Sequence, residues 1–334
     1  MSENLDFIFD VPEAPQAAAA SARAAEPGRL YDIAILGGGP AGLSAAVYTA
    51  RKRLDCLMVS PDIGGQVLWT GEVENYIGFQ YIQGRELIAL FKKQVEKFPI
   101  AQAIGAPVTR LGETGGAFTV ETVGGGSFRA RAVIVATGKR YRRLEVPGEA
   151  GLIGKGVSFC ATCDAPLFEG RTVAVIGGGN SALTAVNDLV RYARKIFVVN
   201  IAARIQADPI LVEKARAFGR VEFLEEAEVA EIRGRERVEG IRVISRKTGV
   251  ESDLAVTGVF VEIGLVPNTD FLDGFLALNK QGEVIVDCFC NTSRAGIFAA
   301  GDVTTVPEKQ IIVAAGEGAK AALTAYKYLL NREG

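Results

Sequence analysis

The sequence predicts an α/β protein with two dinucleotide-binding, Rossmann-like domains. An apolar strand, a glycine-rich loop and a helix follow one another from residue 31, and the same order recurs from residue 172. Another strand-to-helix junction lies at residues 296–302. The chain has 334 residues, of which 49% are hydrophobic, and this is enough for two buried cores.

Composition excludes several functions. The chain has 37 basic and 39 acidic residues and no basic run, so we expect no nucleic-acid surface. No apolar stretch is long enough to span a bilayer, and the N-terminus does not resemble a secretory signal, so we expect a cytoplasmic protein. There is no histidine. Acid–base chemistry near neutral pH must therefore use a carboxylate, a thiol or solvent.

Residues 1–29 are predicted to form a flexible N-terminal extension. They contain an alanine run at 17–20 and Pro27-Gly28. A small apolar patch at residues 5–9 leaves open a second interpretation, in which this segment docks on the protein's own surface or on a partner.

The first predicted strand, at 31–36, enters the loop Gly37-x-Gly39-x-x-Gly42. In such a loop the first glycine allows a tight turn, the second lets backbone approach a pyrophosphate, and the third permits close packing of helix on strand. Pro40 and Ala41 lie at the start of the helix. We expect a dinucleotide here.

Two further strands complete this part of the pattern. They are predicted at 54–60 and 132–136, and Thr137-Gly138 ends the second. Near the C-terminus, a strand ends at Gly301-Asp302, where the carboxylate could bind ribitol hydroxyls of FAD. The final helix is predicted at about 314–330.

The second loop, Gly177-x-Gly179-x-x-Ala182, includes Asn180 and Ser181 and precedes a strand at 195–199. A nicotinamide site usually places an acidic residue after that strand, or arginines for a 2′-phosphate. Here Asn200 stands at the ribose position and Arg204 is the lone cation. The pattern leaves NADH, NADPH or no second nucleotide open.

Cys160-Ala-Thr-Cys163-Asp164 carries the redox prediction. Two cysteines at this spacing can form and reopen a disulfide, and the adjacent carboxyl can supply a proton. Zinc would need more ligands, and there is no histidine and no second C-x-x-C, so no metal site is predicted. Cys288 and Cys290 would share one face if they lay in a strand; they are either buried thiols or a second relay.

The motifs occur in a distinctive order: the first glycine loop, Gly64-Gly65-Gln66, Glu72-Val73-Glu74-Asn75-Tyr76, Ala136-Thr137-Gly138, the C-A-T-C-D motif, the second glycine loop, 296–302, and Gln310 before 315–318. Over about residues 30–332 the chain resembles low-molecular-weight thioredoxin reductases. The resemblance implies an FAD domain at 30–145 plus 267–334, an inserted dithiol domain at 146–266 and a homodimer.

The resemblance also implies roles for individual residues. Cys163 would face the flavin, Cys160 would attack a partner disulfide, and Asp164 would protonate the departing thiolate. Further residues would lie around FAD: Gly65, Gln66, Asn75, Thr137, Gly138, Asp302, Gln310 and Ile311. NADPH-dependent members carry His-Arg-Arg where this chain has Asn200-Ile201-Ala202.

We therefore expect an FAD-dependent enzyme that reduces the disulfide of a thioredoxin-like protein. Its electron donor would be ferredoxin or NADH rather than the standard NADPH. Two alternatives remain: a flavin-dependent dithiol oxidase, and a flavin-binding redox sensor that does not turn over. The hinges between the domains are predicted near Pro147-Gly148 and residues 264–267.

Overall fold

The computed structural model describes residues 23–70, 72–272 and 274–333. The apolar patch at residues 5–9 and most of the predicted extension lie outside the described residues. The described part of that extension contacts the protein: Arg23–Ala24 forms strand β1, which pairs in parallel with strand β6 at Ala101–Ile104.

The described helices follow in chain order. They are α1 Pro40–Arg51, α2 Gly84–Val95, α3 Glu149–Leu152, α4 Ala161–Asp164, α5 Asn180–Leu189, α6 Pro209–Ala217 and α7 Ile311–Glu333. Short 3₁₀ turns lie at Gly65–Trp69, Ala165–Phe168, Asp270–Leu272 and Gly301–Val303.

The strands fall into two large groups and a few short pairs. Those of the first half are β2 Leu30–Leu36, β3 Cys56–Ser60, β4 Glu72–Val73, β5 Ile82–Gln83, β7 Val108–Thr114, β8 Ala117–Thr122, β9 Ser127–Val135, β10 Lys139–Tyr141 and β11 Val157–Ser158. Those of the second half are β12 Thr172–Ile176, β13 Lys195–Val199, β14 Val221–Leu224, β15 Ala227–Arg233, β16 Gly240–Ser245, β17 Glu251–Leu254, β18 Gly258–Val261, β19 Leu265–Pro267 and β20 Ile297–Ala299.

The larger sheet has the order β1-β6-β3-β2-β9-β8-β7, and β20 also pairs with β9. Its central strands β3, β2, β9 and β20 are parallel. Alternate residues of β2 enter two different cores: Ile33 and Ile35 pack under α1 and α7, whereas Ala34 and Leu36 pack on the opposite face. Burial of both faces explains why β2 is apolar from Ile33 to Leu36.

The second sheet has the order β11-β18-β12-β13-β14, and all of its pairs are parallel. Helix α5 covers one face, where Leu183 and Val186 join the core. The small antiparallel sheet β15-β16-β17 covers the other face. The α/β fold class with two Rossmann-like units is thus confirmed.

The chain crosses between these two sheets at a two-stranded antiparallel pair. Strand β10 pairs with β19, with Lys139 opposite Pro267 and Tyr141 opposite Leu265. Gly148, by contrast, packs on β15, because a Cβ at this position would lie 1.8 Å from the Ile232 carbonyl oxygen. The crossing therefore lies at β10 and β19, and Gly148 is tied to the second unit.

Predicted and observed bounds differ at a few ends. The strand predicted at 132–136 begins earlier, at Ser127, because its first half alternates between exposed and buried residues as an antiparallel partner of β8. The final helix begins at Ile311 rather than about 314. In the described part of the chain, no helix is both long and apolar enough to cross a membrane.

Candidate active site

A cavity of about 560 Å³ lies at the carboxyl ends of the central strands of the larger sheet and extends to the redox motif. The predicted cofactor residues that line it are Gly37, Gly39, Pro40, Ala41, Gly65, Gln66, Asn75, Thr137, Gly138, Gly301, Asp302, Gln310 and Ile311. Cys160, Cys163 and Asp164 line the same cavity. The structure thus brings the redox motif together with cofactor residues that come from both sides of it in sequence, at positions 37–138 and 301–311.

The first glycine loop has the shape that a pyrophosphate requires. A Cβ at Gly42 would lie 1.9 Å from the Gly37 carbonyl oxygen, so Gly42 allows close packing and does not line the cavity. A Cβ at Gly39 would meet no protein atom within 4 Å and would project where the loop borders the cavity. Gly39 is also the N-cap of α1 and has no side-chain cap, which leaves backbone N–H groups for an anion.

Polar groups farther along the cavity also fit a dinucleotide. The Gln66 amide donates to the Lys139 carbonyl oxygen, while Gln66 Oε1 is buried and has no hydrogen-bond partner. Asn75 Nδ2 donates to Gln310 Oε1 over 3.1 Å. A buried acceptor without a partner is costly unless a ligand supplies a donor. The described residues therefore fit FAD.

A charged cluster that sequence reasoning missed lies beside this cavity. Lys139 and Lys309 both form ion pairs with Glu283. Burial raises the pKa of Glu283, but hydrogen bonds from Lys139 and Asn279 outweigh it and the net shift is downward. Burial raises the pKa of the neighbouring Asp302 carboxyl, and the two lysines oppose that shift. Glu283 is separated in sequence from both Lys139 and Lys309, so the ion-pair cluster can be recognised only in the folded structure.

Cys160 and Cys163 form a disulfide at the start of α4, with their Cα atoms 5.3 Å apart. The Cys160 sulfur accepts a hydrogen bond from the Cys163 backbone N–H at 3.2 Å and so caps the short helix. This geometry fits a sulfur that carries charge after reduction, because N–H donors at a helix N-terminus stabilise a thiolate.

Asp164 is held by a residue outside the predicted motif. The Ser158 hydroxyl donates to Asp164 Oδ2 at 2.6 Å, whereas Asp164 Oδ1 is buried without a hydrogen-bond partner. Burial raises the pKa of Asp164 to about 6, against the effect of the Ser158 hydrogen bond, and the charge of Glu72 adds to the rise. A carboxyl of this kind can hold a proton near neutral pH.

A second carboxyl under the redox helix was also missed. Burial raises the pKa of Glu262 to about 8, with the backbone of Ala161 opposing and Asp188 adding to the shift. Glu262 directly follows β18. Its backbone carbonyl oxygen lies close to Gly177, where an added Cβ would be 2.4 Å from this oxygen. The sequence signal was weak: a single acidic residue interrupts an otherwise apolar run at 258–266.

The second glycine loop lies between β12 and α5 and does not line the cavity that contains the redox motif. Gly177, Gly179, Asn180 and Ser181 form the turn and the start of α5. Asn200 is only 3% exposed, and its amide donates to the carbonyl oxygens of Ala202 and Arg204. Asn200, which the sequence placed at the ribose, thus uses its amide N–H donors within its own loop. The Arg204 side chain is exposed.

Cys288 and Cys290 do not lie in a strand, so they do not share a strand face. Residues 288–289 form a turn, because Asp287 Oδ1 accepts from the backbone N–H groups of Phe289 and Asn291. Cys290 takes a left-handed φ of 67° and is buried, whereas Cys288 is exposed. Burial raises the pKa of the Cys290 thiol to about 11. This thiol is therefore poorly suited to a relay.

Comparison with known proteins decides the family. Residues 31–318 match the family described as "Pyridine nucleotide-disulphide oxidoreductase". The chain belongs to this family. A flavin-dependent disulfide oxidoreductase of the thioredoxin reductase type, as the sequence predicted, is thereby confirmed at the level of the family. Membership implies FAD and a pyridine nucleotide as the cofactor classes.

Individual relatives agree with this assignment. The F component of alkyl hydroperoxide reductase from Escherichia coli is 41% identical over 305 residues, which are 90% of this chain. The match spans only 58% of that relative's length. A thioredoxin reductase structure from Streptococcus pyogenes, 36% identical, superposes with a TM-score of 0.86 over 90% of this chain and 99% of its own. A Lactococcus lactis thioredoxin reductase described as in the FR conformation is 33% identical with the same coverage, but its TM-score is 0.61.

Proposed function

We propose that this chain is an FAD-dependent reductase that passes electrons through the Cys160–Cys163 disulfide to a disulfide of a thioredoxin-like protein. The observation that supports this most strongly is that the redox disulfide and the first glycine loop line the same cavity. Bound FAD would supply the electron pair that reduces the disulfide. Gly39, Gln66 and Asp302 would be among the residues that hold it.

The protein's own residues account for the exchange that follows. After reduction, the Cys160 thiolate attacks the partner disulfide, forms a mixed disulfide and displaces one partner thiolate. Cys163 then attacks the Cys160 sulfur, restores the Cys160–Cys163 bond and releases the second partner thiolate. Asp164 donates its proton to a departing thiolate and regains one from solvent. The name of the relatives favours a partner from a peroxide-reducing system.

The exchange requires a change in domain arrangement. Both cysteines line the cavity that faces the glycine loop, so a bulky protein partner cannot reach Cys160 there. We place the hinge at the β10–β19 crossing, which joins the two sheets. The lower TM-score of the Lactococcus lactis structure, despite similar identity and coverage, supports alternative arrangements of the same two domains within the family. A cytoplasmic homodimer is part of this proposal.

For the electron donor we propose NADH or ferredoxin rather than NADPH. The ribose end of the second loop carries the buried amide of Asn200 and the single exposed cation Arg204. A 2′-phosphate usually requires paired cations. Family membership favours NADH among the two donors, because the family is defined by pyridine nucleotide chemistry.

The test follows flavin bleaching under anaerobic conditions with NADH, NADPH or reduced ferredoxin. Gly179→Glu is the informative variant, because a side chain there meets no atom within 4 Å yet would repel a pyrophosphate at the start of α5. Gly112→Glu, also in open space, is the matched control. Loss of NADH bleaching in Gly179→Glu alone supports the NADH site. Bleaching by ferredoxin in both variants assigns the donor to ferredoxin, and preferred bleaching by NADPH contradicts the proposal.

A catalytic assay with a thioredoxin-like protein then separates reductase from sensor. Sustained reduction of excess partner disulfide by a small amount of the protein supports a reductase. Reduction that stops after one equivalent would assign a sensor, and rapid oxygen consumption with a small dithiol would assign an oxidase.

A further inference from the structure

We propose that Ser158 is a positioning residue whose hydroxyl holds the Asp164 carboxyl beside Cys160 and adapts to both of its protonation states. The inference deepens the proposed function, on which its catalytic meaning rests. Ser158 lies outside the C-A-T-C-D motif, at the carboxyl end of β11, and is buried.

The geometry places one hydroxyl between three groups of the redox site. Ser158 Oγ accepts from the Cys160 backbone N–H at 3.1 Å and donates to Asp164 Oδ2 at 2.6 Å. The Cys160 carbonyl oxygen lies 3.4 Å from the same Oγ. The Cys160 N–H uses one lone pair of Oγ and leaves the hydroxyl proton free. That proton can point either to Asp164 Oδ2 or to the Cys160 carbonyl oxygen.

These distances allow a switch without movement of the backbone. When Asp164 is ionised, the Ser158 proton points to Oδ2 and stabilises the negative charge. When Asp164 is protonated on Oδ2, the carboxyl can donate to Ser158, and the Ser158 proton can turn to the Cys160 carbonyl oxygen. A serine hydroxyl is both donor and acceptor, so it satisfies either state. Alanine would satisfy neither.

The second cavity gives this pair a route to solvent. Its volume is about 930 Å³, and Ser158 and Asp164 line it as well as the cavity that contains the disulfide. Arg143 and Lys155 also line this second cavity. Asp164 can therefore exchange a proton through this second cavity as well.

Other charged groups near Asp164 determine the background against which Ser158 acts. Glu72 of β4 raises the pKa of Asp164, and the Tyr141 phenol of β10, whose own pKa is raised by burial, remains neutral. Arg143 forms an ion pair with Glu149 at 3.4 Å. Glu262 lies near the backbone of Ala161 under α4. Within the described residues, the side-chain hydrogen bond to the Asp164 carboxyl comes from Ser158.

Removal of the Ser158 hydroxyl should shift the pKa of Asp164 in one defined direction. Although the Ser158 hydroxyl can pair with either state, its hydrogen bond to the ionised carboxylate is the stronger of the two. Ser158→Ala should therefore raise the pKa of Asp164 above about 6. A hydrogen bond to a charged group is worth enough to change the proton-binding constant by about tenfold or more. Ser158→Thr retains the hydroxyl and should restore the original value.

The experiment titrates the Asp164 carboxylic-acid band of the oxidised holoenzyme by infrared difference spectroscopy. Subtraction of the Asp164→Asn spectrum assigns the band. The variants are Ser158→Ala, Ser158→Thr and the exposed control Ser252→Ala on β17, all checked for FAD content. Ser158→Cys, with a weaker donor of similar size, serves if alanine prevents folding. The pH dependence of partner reduction is measured on the same samples.

The expected result is an upward shift of the Asp164 titration in Ser158→Ala, absent in Ser158→Thr and Ser252→Ala. The alkaline limb of the pH–rate profile should move in the same direction. An unchanged Asp164 titration in Ser158→Ala overturns the inference, even if activity falls. The infrared titration needs no turnover, so a protein that shows the shift but reduces no disulfide would refute the proposed function and leave the positioning of Asp164 intact.

Discussion

Asn180 and Asp208 are joined by a reciprocal pair of hydrogen bonds at the start of α5. Asn180 Nδ2 donates to Asp208 Oδ2 at 3.1 Å, and the Asp208 backbone N–H donates to Asn180 Oδ1 at 2.8 Å. This pair places a carboxylate at the helix N-terminus where the second glycine loop would receive a pyrophosphate. The second nucleotide site therefore contains a charge that opposes its proposed ligand.

Asp208→Asn should strengthen NADH binding. The substitution keeps a hydrogen-bonding side chain at the N-cap of α6 and removes one negative charge. At close range in a solvated site such a charge is worth about 1 kcal/mol, or about a fivefold decrease in Kd. Calorimetric titration at low and high salt provides the measurement, with Asp253→Asn as the control, and the gain should shrink in high salt. An unchanged or weaker Kd contradicts the proposed position of the pyrophosphate.

Two glycines of the first loop should respond differently to alanine. Gly42→Ala would place a Cβ 1.9 Å from a backbone oxygen, so the free energy of unfolding should fall by about 1–3 kcal/mol or more even without FAD. Gly39→Ala meets no protein atom, so the apoprotein should keep its stability and bind FAD more weakly. Chemical denaturation of the apoprotein and FAD titration measure the two effects. Equal FAD affinity in Gly39→Ala and wild type would be inconsistent with a pyrophosphate at this loop.

Glu262 should make stability depend on pH. Its pKa is about 8 in the folded state and near 4.5 in the unfolded chain, so the folded state binds the extra proton between these values. Stability is therefore fullest below about pH 4.5, falls as the pH rises through this window, and levels off above about 8. Glu262→Gln should remove on the order of a few kcal/mol of this pH dependence. Urea unfolding at pH 6 and 9 measures it, with Glu236→Gln as control, and parallel curves for Glu262→Gln and wild type would refute it.

Much of this fold could be predicted from local sequence. Gly42 is required by a close backbone contact with Gly37 inside one strand–loop–helix unit, and such a contact leaves a fixed spacing in sequence. The Cys160/Cys163 pair could be predicted for the same reason, because both cysteines lie at a fixed spacing in one short motif. Asn200 was harder, because its burial depends on contact with Gly178, whose Cβ would lie 2.5 Å from Asn200 Oδ1.

Ser158 and Glu283 could not be predicted, because their importance depends on contacts that no sequence pattern marks. Ser158 acts on Asp164 across a turn, and an isolated serine has no recognisable pattern. Glu283 meets Lys139 and Lys309 only after β9, β10 and the segment before α7 assemble. Whether these charged side chains are buried depends on the folded cavity, and no spacing of residues in the sequence predicts it.

The cysteines provide the final prediction. Cys160→Ser should lose reduction of the partner disulfide and retain FAD, since serine is nearly the same size and Cys160 lies at the edge of the cavity rather than in a core cluster. Cys288→Ser, at an exposed free thiol, should behave as wild type. Retained partner reduction in Cys160→Ser would remove this residue from the mechanism.

The most direct measurement is an anaerobic reductive titration of the FAD-loaded protein, monitored by flavin absorbance and by thiol labelling. If electrons pass to the disulfide, the wild type should consume a second equivalent of donor and yield labelled Cys160 and Cys163. The Cys160→Ser variant should stop after the first equivalent. A wild type that also stops after the first equivalent, with its disulfide intact, would contradict the central claim.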